Sequence, residues 1–450
     1  MATTTTTTRP ARRPRRRLPA ACLAALLLAA GNAGALGLLQ AYDAALANDP
    51  AYQSAIHDYE GGQENKNIGR SQLLPQLQAS YSSSKNRTDI TNALGTTHPV
   101  YNSRSAVLQL RQPLLNLEVW SRYRQSVAQT DLSSAVFASR KQEMIVRLVS
   151  AYLDALLQTE QVRLSQAQRD TYVEQKKVND RLFERGEGTR TDMLETQARQ
   201  ELAEAQLIEA QDNRQAALAT LAALVGQEVA ALDELRPEFR LAPSAAAGFE
   251  EWKATALASN PEIQAQRYAV EAAHQEVNRN RSGHTPKLDL IGTLNKSSSE
   301  SINTLNQDST VRSIGFQVTV PLYSGGYVNA TSRQAVAGQE KARSDLQGAT
   351  DKTLVELRRQ YNLVLSSSAR IQALDKAVVS GKLLVQATQQ SIKGGVRINL
   401  DLLNAQQQLY TSERDLAQAR YNYLLSNLRM RSAAGVLGAD DVREVANYFR

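Results

Sequence analysis

The titratable side chains with the most suggestive spacing stand beside two glycine-containing turns. Arg397 and Asp401 are four positions apart at the predicted start of a helix, and Asp192 holds the place of Asp401 after an earlier, similar turn. Residues four apart share one face of a helix, where a cation and an acid can form a contact worth about 0.2 to 0.5 kcal/mol. These residue types therefore favour electrostatic attraction rather than bond-breaking chemistry, either as a solvent-exposed pair or as part of a larger contact.

Residue types that perform catalysis form no recognisable pattern. The four histidines lack metal-ligand spacing, and neither a glycine-rich phosphate loop nor a nucleophile elbow is present. We therefore predict that the protein is not an enzyme, binds no cofactor and no metal, and takes any energy it uses from a partner. The histidines concerned are His57, His98, His274 and His284.

The N-terminus predicts export across the inner membrane. Residues 1–35 combine an arginine-rich start, an apolar run over residues 18–30 and small residues at 33–35, which is typical of a cleaved secretory signal. A membrane anchor is the alternative, but the apolar run is shorter than the roughly 20 residues that span a bilayer. Most of the formal net charge of +7 and the only cysteine, Cys22, leave with the signal. We therefore predict no nucleic-acid binding and no thiol chemistry in the mature chain.

The remaining chain predicts a tandem duplication. When Gly186 is placed on Gly395, the same shift places Asp192 on Asp401. Other residues that coincide are Leu194 with Leu403, Gln197 with Gln406 and Gly226 with Gly435. We therefore predict a first repeat over residues 36–235, a connector over 236–248 and a second repeat over 249–450.

The sequence periodicity predicts the same order of elements in each repeat: a short helix, a β-hairpin, a long helix, a turn and a second short helix. In the first repeat the last four span residues 74–113, 118–184, 186–191 and 192–225. In the second they span 286–323, 328–393, 394–398 and 399–434, and a C-terminal tail follows. The polar stretch from Ser83 to about Asn102 predicts a loop inside the first hairpin. Each long helix would measure on the order of 100 Å.

The helices of the second repeat carry heptad patterns. Apolar residues fall seven apart on both helices, and small residues follow three positions after most of those on the second. This pattern indicates a coiled-coil seam, with an ordinary amphipathic bundle as the alternative. In each repeat the two short helices together match the long one in length, so we expect both to pack along it. The residues are Leu357, Val364, Ile371, Val378 and Val385, then Leu402, Leu409, Leu416, Tyr423 and Met430 with Ala405, Ser412, Ala419 and Ala433.

The strands set a requirement on assembly. Each repeat predicts two strands long enough to cross a bilayer, which takes roughly 9 to 11 residues. Four strands cannot close a barrel, and an open sheet edge is not tolerated in lipid, so membrane insertion would need several chains to pool their strands. Three chains would supply twelve. The alternative is a periplasmic coiled-coil scaffold with a covered four-stranded sheet.

Beyond these patterns, the mature chain resembles the TolC family of outer-membrane factors. The resemblance rests on the duplicated order of elements, on both turns and on the segments Ala419–Leu425 and Arg431–Gly435. It implies a mainly α fold with membrane β-structure: a homotrimer with a long α-helical coiled-coil barrel and a twelve-stranded β-barrel in the outer membrane of a Gram-negative bacterium. The implied partners are outer-membrane lipid, a periplasmic adaptor and an ABC or proton-driven inner-membrane pump.

The resemblance also implies the function and the sites. The function is an exit duct, which we expect to serve type I protein secretion, with small-molecule or multidrug efflux as the alternative. The tip turns would contain Gly186, Gly188, Gly394 and Gly395, and the periplasmic constriction would contain Thr191, Asp192, Arg397, Asp401 and Asn404. Two departures from the family pattern, Ile392 in place of a tyrosine and Asn404 in place of an acid, predict a less tightly held closed state and weaker cation selection.

Overall fold

The computed structural model describes residues 35–93, 95–236, 239, 248–301, 304–394 and 396–450. The predicted signal therefore lies outside the described residues except for Ala35, and so does Gly395. The helices are α1 (Leu38–Asn48), α2 (Pro50–Ser71), α3 (Leu117–Glu184), α4 (Arg190–Val225), α5 (Phe249–Ser259), α6 (Pro261–Arg281), α7 (Tyr327–Lys393), α8 (Asn399–Ala433) and α9 (Ala439–Ala446). The strands are β1 (Gln76–Arg87), β2 (Ile90–Asn92), β3 (Gly95–Thr97), β4 (Val100–Leu115), β5 (Lys287–Ser301) and β6 (Thr304–Thr319).

The same cap breaks the first helix of each repeat. Asp49 accepts a hydrogen bond from the amide of Ala51 at 3.0 Å and precedes Pro50, the first residue of α2. Asn260 caps α6 in the same way, through the amides of Glu262 and Ile263, and precedes Pro261. A capping side chain followed by proline fixes a helix start, because proline has no amide hydrogen to satisfy there. The internal repeat predicted from the sequence is thus present in the fold.

The strands form one antiparallel sheet in the order β1-β4-β5-β6. The loop predicted from Ser83 to Asn102 is wrong over much of its length, because β1 continues to Arg87 and β4 begins at Val100. Between them the short strands β2 and β3 pair with each other. This segment is polar on both faces, so its sequence does not show the alternation of apolar and polar residues that predicts a strand. The backbone hydrogen bonds that form a strand do not depend on side-chain polarity.

One face of the sheet, which we call the apolar face, carries large hydrophobic residues at alternate positions. The cross-strand register aligns these residues into continuous rungs, such as Ala79–Leu108–Leu294. The apolar face comprises Leu77, Ala79, Tyr81, Ala106, Leu108, Leu110, Leu288, Leu290, Leu294, Ile314, Phe316 and Val318. Several of these side chains are exposed in the single chain, among them Leu77, Tyr81, Ile314 and Phe316.

The opposite face of the sheet is mainly polar. Its side chains form cross-strand hydrogen bonds, including Ser105 to Asn295 at 3.2 Å and Thr293 with Ser313 at 2.5 Å. Nearer the helices, Arg111 donates to the buried carboxylate of Asp289 through two nitrogens at 2.6 and 3.1 Å. The two faces therefore differ sharply in chemistry.

The long helices lie side by side in one layer. Near the sheet the neighbours are α2, α3, α6 and α7, and toward the other end they are α4, α3, α8 and α7. Both short helices of each repeat thus pack along the long one, as their lengths predicted. Among the residues that the structure describes, α4 and α7 each pack along a helix on one side only at this far end, so they form the edges of the layer.

The predicted coiled-coil seam joins α7 and α8. On α7 the buried seam residues are Leu357, Val364, Ile371 and Val378. On α8 all the predicted seam residues are buried except Leu409 and Ala433, which are half-buried. The seam is close-packed: a Cβ atom on Gly381 would lie 3.2 Å from Cδ1 of Leu409. Small residues at such positions let two helix backbones approach each other.

A hydrophobic cluster joins the helices to the segment after α4 and to the C-terminal residues. The segment after α4 pairs with both ends of the described chain, through bridges between Leu36 and Leu232 and between Leu235 and Phe449. Helix α9 lies in the region predicted as a tail, and Arg431 holds it through Asp441 and Glu444. None of the helices in the described ranges is both long enough and apolar enough to cross a membrane.

Candidate functional site: the paired hairpin tips

The first tip, the turn between α3 and α4, is built by backbone hydrogen bonds and two glycines. The amides of Glu187 and Gly188 donate to the carbonyl of Leu182 at 2.9 and 3.0 Å. Gly186 has φ 74°, a left-handed conformation that glycine adopts without steric cost. A Cβ atom on Gly188 would lie 3.0 Å from the amide nitrogen of Phe183, so this position also favours glycine.

Helix α4 then starts from a side-chain cap. Thr189 accepts from the amide of Asp192 at 3.1 Å and donates to its carboxylate at 2.5 Å. The predicted site residue Asp192 is therefore engaged within its own turn, and Thr191 is exposed beside it. An acid in the first turn of a helix also complements the positive end of the helix dipole.

The second tip, between α7 and α8, is held differently. The amide of Gly394 donates to the carbonyl of Gln390 at 3.1 Å, and the amide of Val396 donates to that of Ser391 at 2.9 Å. The N-cap of α8 is Ile398, whose side chain cannot accept a hydrogen bond. Ile392, one of the two departures from the family pattern, is half-buried at the end of α7.

The predicted charge pair forms at this second tip. A guanidinium nitrogen of Arg397 lies 3.6 Å from a carboxylate oxygen of Asp401, with 52% and 39% of the two side chains exposed. An ion pair with this much solvent contact contributes at most about 1 kcal/mol within the chain. Among the described residues, no hydrogen bond or ion pair joins Arg397 or Asp401 to Thr191 or Asp192. The structure thus brings together Arg397 and Asp401 but not the two groups of predicted site residues.

One predicted site residue does connect the hairpins. Asn404 on α8 accepts a hydrogen bond from Arg199 on α4 at 3.2 Å, on an exposed surface. The remaining connection was not predicted. We call it the buried polar cluster, and it comprises the buried side chains of Asn179 and Thr196 and the half-buried side chains of Gln175 and Asn399.

The buried polar cluster joins α3, α4 and α8. Asn179 donates to the hydroxyl of Thr196 at 2.7 Å, and Asn399 donates to the same hydroxyl at 3.3 Å. Gln175 donates to the carbonyl oxygens of Asn399 at 2.9 Å and of Asn179 at 3.3 Å. The sequence carries one signal for it: Thr196 begins a heptad series of small buried residues with Ala203, Ala210 and Ala217. A polar residue in such a series typically specifies register.

Further from the tips, a second set of contacts joins α3 to α8. Gln168 and Tyr172 both donate to the side-chain carbonyl of Gln407, at 2.8 and 3.3 Å. The hydroxyls of Thr171 and Tyr410 lie 2.6 Å apart. Burial raises the pKa of both Tyr172 and Tyr410 above the ordinary value of a phenol, so the folded state favours their neutral forms.

The chemistry of this region is hydrogen bonding and weak ion pairing between two helical hairpins. Across the described ranges, no group of histidine, cysteine or acidic side chains is arranged to hold a metal ion. The arrangement joins the two hairpins through hydrogen bonds between neutral side chains, which water can replace.

A family model described as outer membrane efflux protein matches residues 41–227 and 252–436, one segment for each repeat. The chain belongs to the outer membrane efflux protein family. The family resemblance inferred from the sequence is therefore confirmed, and with it an outer-membrane location and an export function. The long helices are the periplasmic part of such a protein. This is a family of channels rather than of enzymes.

Individual relatives extend over nearly the whole chain. The alkaline protease secretion protein AprF of Pseudomonas aeruginosa is 45% identical and covers 93% of this chain and 88% of its own. The proteases secretion protein PrtF of Dickeya chrysanthemi is 38% identical and covers 94% and 93%. The fold is similar to the crystal structure of the Campylobacter jejuni CmeC outer membrane channel, with a TM-score of 0.79 at 19% identity over 92% of this chain and 90% of that one.

Proposed function

We propose that this chain is the outer-membrane exit duct of a type I secretion system whose cargo is a secreted protein. The supporting observation is its identity of 45% and 38%, along nearly full lengths, to two proteins named for protease secretion. A polypeptide cargo also fits the mainly polar face of the sheet, where hydroxyl and amide side chains can exchange hydrogen bonds with a passing chain.

The duct would be a homotrimer. Support comes from the sheet, whose edge strands β1 and β6 each have one neighbour within the described chain. Unpaired edges are costly in lipid, and three copies would join edge to edge into twelve strands. The apolar face then meets lipid, and the polar face lines the lumen. The helix layer supports the same assembly, because its edges α4 and α7 would pack between copies.

The tips would close the periplasmic end of this trimer. Arg397 and Asp401 are exposed enough to pair across copies, and Thr191 and Asp192 stand at the corresponding place on the other hairpin. Three Asp401 carboxylates around an axis would favour cations. Asn404, bonded to Arg199, adds no charge to that ring. We expect Asp401→Asn to reduce cation selectivity in planar bilayers, and unchanged selectivity would remove Asp401 from the constriction.

The partners would be a periplasmic adaptor and an inner-membrane ABC transporter. The need for a pump follows from the physics of transport, because a passive duct cannot move cargo uphill. The contact would lie at the hairpin tips, where Val396 and Ile398 are exposed apolar side chains.

The test is complementation of a bacterium that has an ABC transporter, an adaptor and a protease cargo but no exit duct. Secreted protease activity in the medium is the expected result, with export of a fluorescent dye measured in the same cells. Dye export without protease secretion would favour small-molecule efflux instead. Neither activity, with the trimer present in the outer membrane, would contradict the proposal.

A further inference from the structure

Five basic residues lie on the apolar face at its far end, beginning on the rung of Leu294 and continuing beyond the last hydrophobic residues. Strand alternation places them on the same side of the sheet as the leucines, at the end remote from the helices. We call this set the basic row: Lys85, Arg87, Arg104, Lys296 and Arg312.

The cross-strand register brings members of the row close together. Arg104 lies opposite Ser83 on β1 and Ser298 on β5. Lys296 lies opposite Ala106, one rung nearer the helices, and Arg312 lies opposite Leu294 on the next rung. Rungs on one face are about 7 Å apart, so long basic side chains on neighbouring rungs reach a common ligand.

The charges of the basic row have no partners among the described residues. All five side chains are exposed, and none forms an ion pair or a side-chain hydrogen bond with any other residue that the structure describes. Asp308, opposite Ser298 on β6, is the one acid on this face whose side chain is described in the neighbouring rungs. The row is thus a net positive surface directly adjoining a hydrophobic one.

The end of the sheet nearer the helices differs. There Lys287 and Arg111 lie on the polar face, and each is paired with an acid: Lys287 with Glu118 at 2.7 Å and Arg111 with Asp289 at 2.6 Å. Unpaired basic residues are therefore concentrated at one end of the strands. This end is the exterior one, because the periplasmic helices leave the sheet at the other.

We infer that the basic row binds phosphate groups of an anionic lipid in the exterior leaflet of the outer membrane. The inference rests on the proposed function, since it requires the apolar face to meet lipid. Leucine, isoleucine and phenylalanine fix the depth of the sheet. The cations stand beside the last of these residues and beyond them, so their long side chains reach the headgroup level and attract anionic lipid there. The hydroxyls of Ser83, Ser298 and Thr310 on the same rungs can donate further hydrogen bonds to phosphate.

The row faces away from the lumen, so cargo is not its ligand. Arg111, Asp289 and the serine and threonine hydroxyl pairs lie on the other face. A phosphorylated glycolipid offers both acyl chains for the apolar face and phosphates for the row, and this complementarity singles it out from a soluble anion.

The test uses the detergent-purified full mature protein and bisphosphorylated lipid A as the probe. The row variant carries Lys85→Gln, Arg87→Gln, Arg104→Gln, Lys296→Gln and Arg312→Gln. The control variant removes the same number of lysines and arginines from exposed helix positions: Lys141→Gln, Lys376→Gln, Arg70→Gln, Arg333→Gln and Arg370→Gln. Lipid binding is counted by native mass spectrometry.

We expect the row variant to bind lipid A at least tenfold more weakly than the wild type, and the control variant to match the wild type. Zwitterionic phosphatidylethanolamine should bind all three alike. Equal lipid A binding by the row variant and the wild type would overturn the inference. Displacement of lipid A by millimolar inorganic phosphate would overturn it as well, because the row would then be a site for free anions.

Planar-bilayer conductance in zwitterionic lipid separates this inference from the proposed function. If the row variant conducts as the wild type does, its duct is intact. Its weaker lipid binding is then due to the loss of the basic row itself. A wild type that does not conduct would contradict the duct itself and the inference with it. If the row variant does not assemble, Lys296→Gln with Arg312→Gln serves in its place, with an expected loss of at least about fivefold.

Discussion

The two helical hairpins descend from one repeat, yet they differ in how much of their surface the chain covers. Leu194 on α4 and Leu403 on α8 occupy equivalent positions, but Leu194 is 50% exposed and Leu403 is fully buried. The difference follows from position in the layer, since α8 lies between α7 and α3 whereas α4 is an edge. Equivalent positions in the two repeats therefore predict the same secondary structure. The helices that pack on either side determine which side chains are buried and so contribute to stability.

The strongest test of this comparison is to lock the two hairpins together. We expect Thr196→Cys with Asn399→Cys to form a disulfide, because a hydrogen bond of 3.3 Å joins the two native side chains and the only native cysteine, Cys22, lies in the predicted signal. If transport requires the hairpins to separate, we expect protease secretion to fall more than tenfold under oxidising conditions and to recover with reductant.

A matched control places the disulfide inside one hairpin. Asn179→Cys with Thr196→Cys links α3 to α4, whose side chains touch at 2.7 Å, and leaves the contact with α8 free. Secretion should then continue. Equal loss in both oxidised variants would mean that the cluster is needed for folding rather than for movement between hairpins.

The second test compares the equivalent leucines. We expect Leu403→Ala to cost about 2 to 5 kcal/mol, because it removes a buried side chain and leaves a cavity. Leu194→Ala should cost less than about 0.5 kcal/mol, as is usual for a surface residue. Thermal unfolding followed by circular dichroism measures both. An equal loss for Leu194→Ala would show that another copy covers this side chain in the assembly.

The third test exchanges the caps. Thr189→Ala should destabilise the start of α4 by about 1 kcal/mol, since the amide of Asp192 loses its acceptor. Ile398→Thr should protect the start of α8 by a similar amount, because it supplies the cap that this turn lacks. Hydrogen exchange of the first-turn amides reports each helix separately. No change at either turn would mean that the tips are held by their packing rather than by their caps.

The smallest expected effect is an alkaline loosening of the contact between hairpins. Burial raises the pKa of Tyr172 and Tyr410 above the ordinary value of 10.0, so the neutral phenols are favoured in the folded state. Their contribution to stability is complete below pH 10 and falls as the pH rises through the raised pKa values. In a pH titration, the phenolate absorbance of the folded protein should rise at a higher pH than that of the unfolded chain. Titration at the ordinary pKa would contradict the burial of these rings.

The sequence predicted the fold where the physics is local. Turn glycines, the Asp49-Pro50 and Asn260-Pro261 caps and the heptads of α7 and α8 each depend on a few neighbouring residues, and together they define the repeat. The ends of β1 and β4 could not be predicted, because strand pairing extends through residues that are polar on both faces. Helix α9 was missed because its stability comes from Arg431 and from packing on distant residues.

The candidate site was predicted only in part for a related reason. Arg397 and Asp401 are four apart, so their pairing follows from the helix alone. Gln175 and Asn399 lie far apart in the chain, and the local sequence around either residue does not predict the hydrogen bond between them. The contact between hairpins depends on which helices are neighbours, and periodicity within one helix does not contain that information.

The polar face of the sheet has a consequence for the speed of transport. Most of its side chains are small alcohols and amides, such as Ser80, Ser82 and Thr293, with the charge of Arg111 already satisfied by Asp289. If this face lines the lumen of the proposed duct, a polypeptide moving along it would exchange one weak hydrogen bond for another of similar strength and would meet no deep energy minimum. Such a wall would favour short residence times for the cargo.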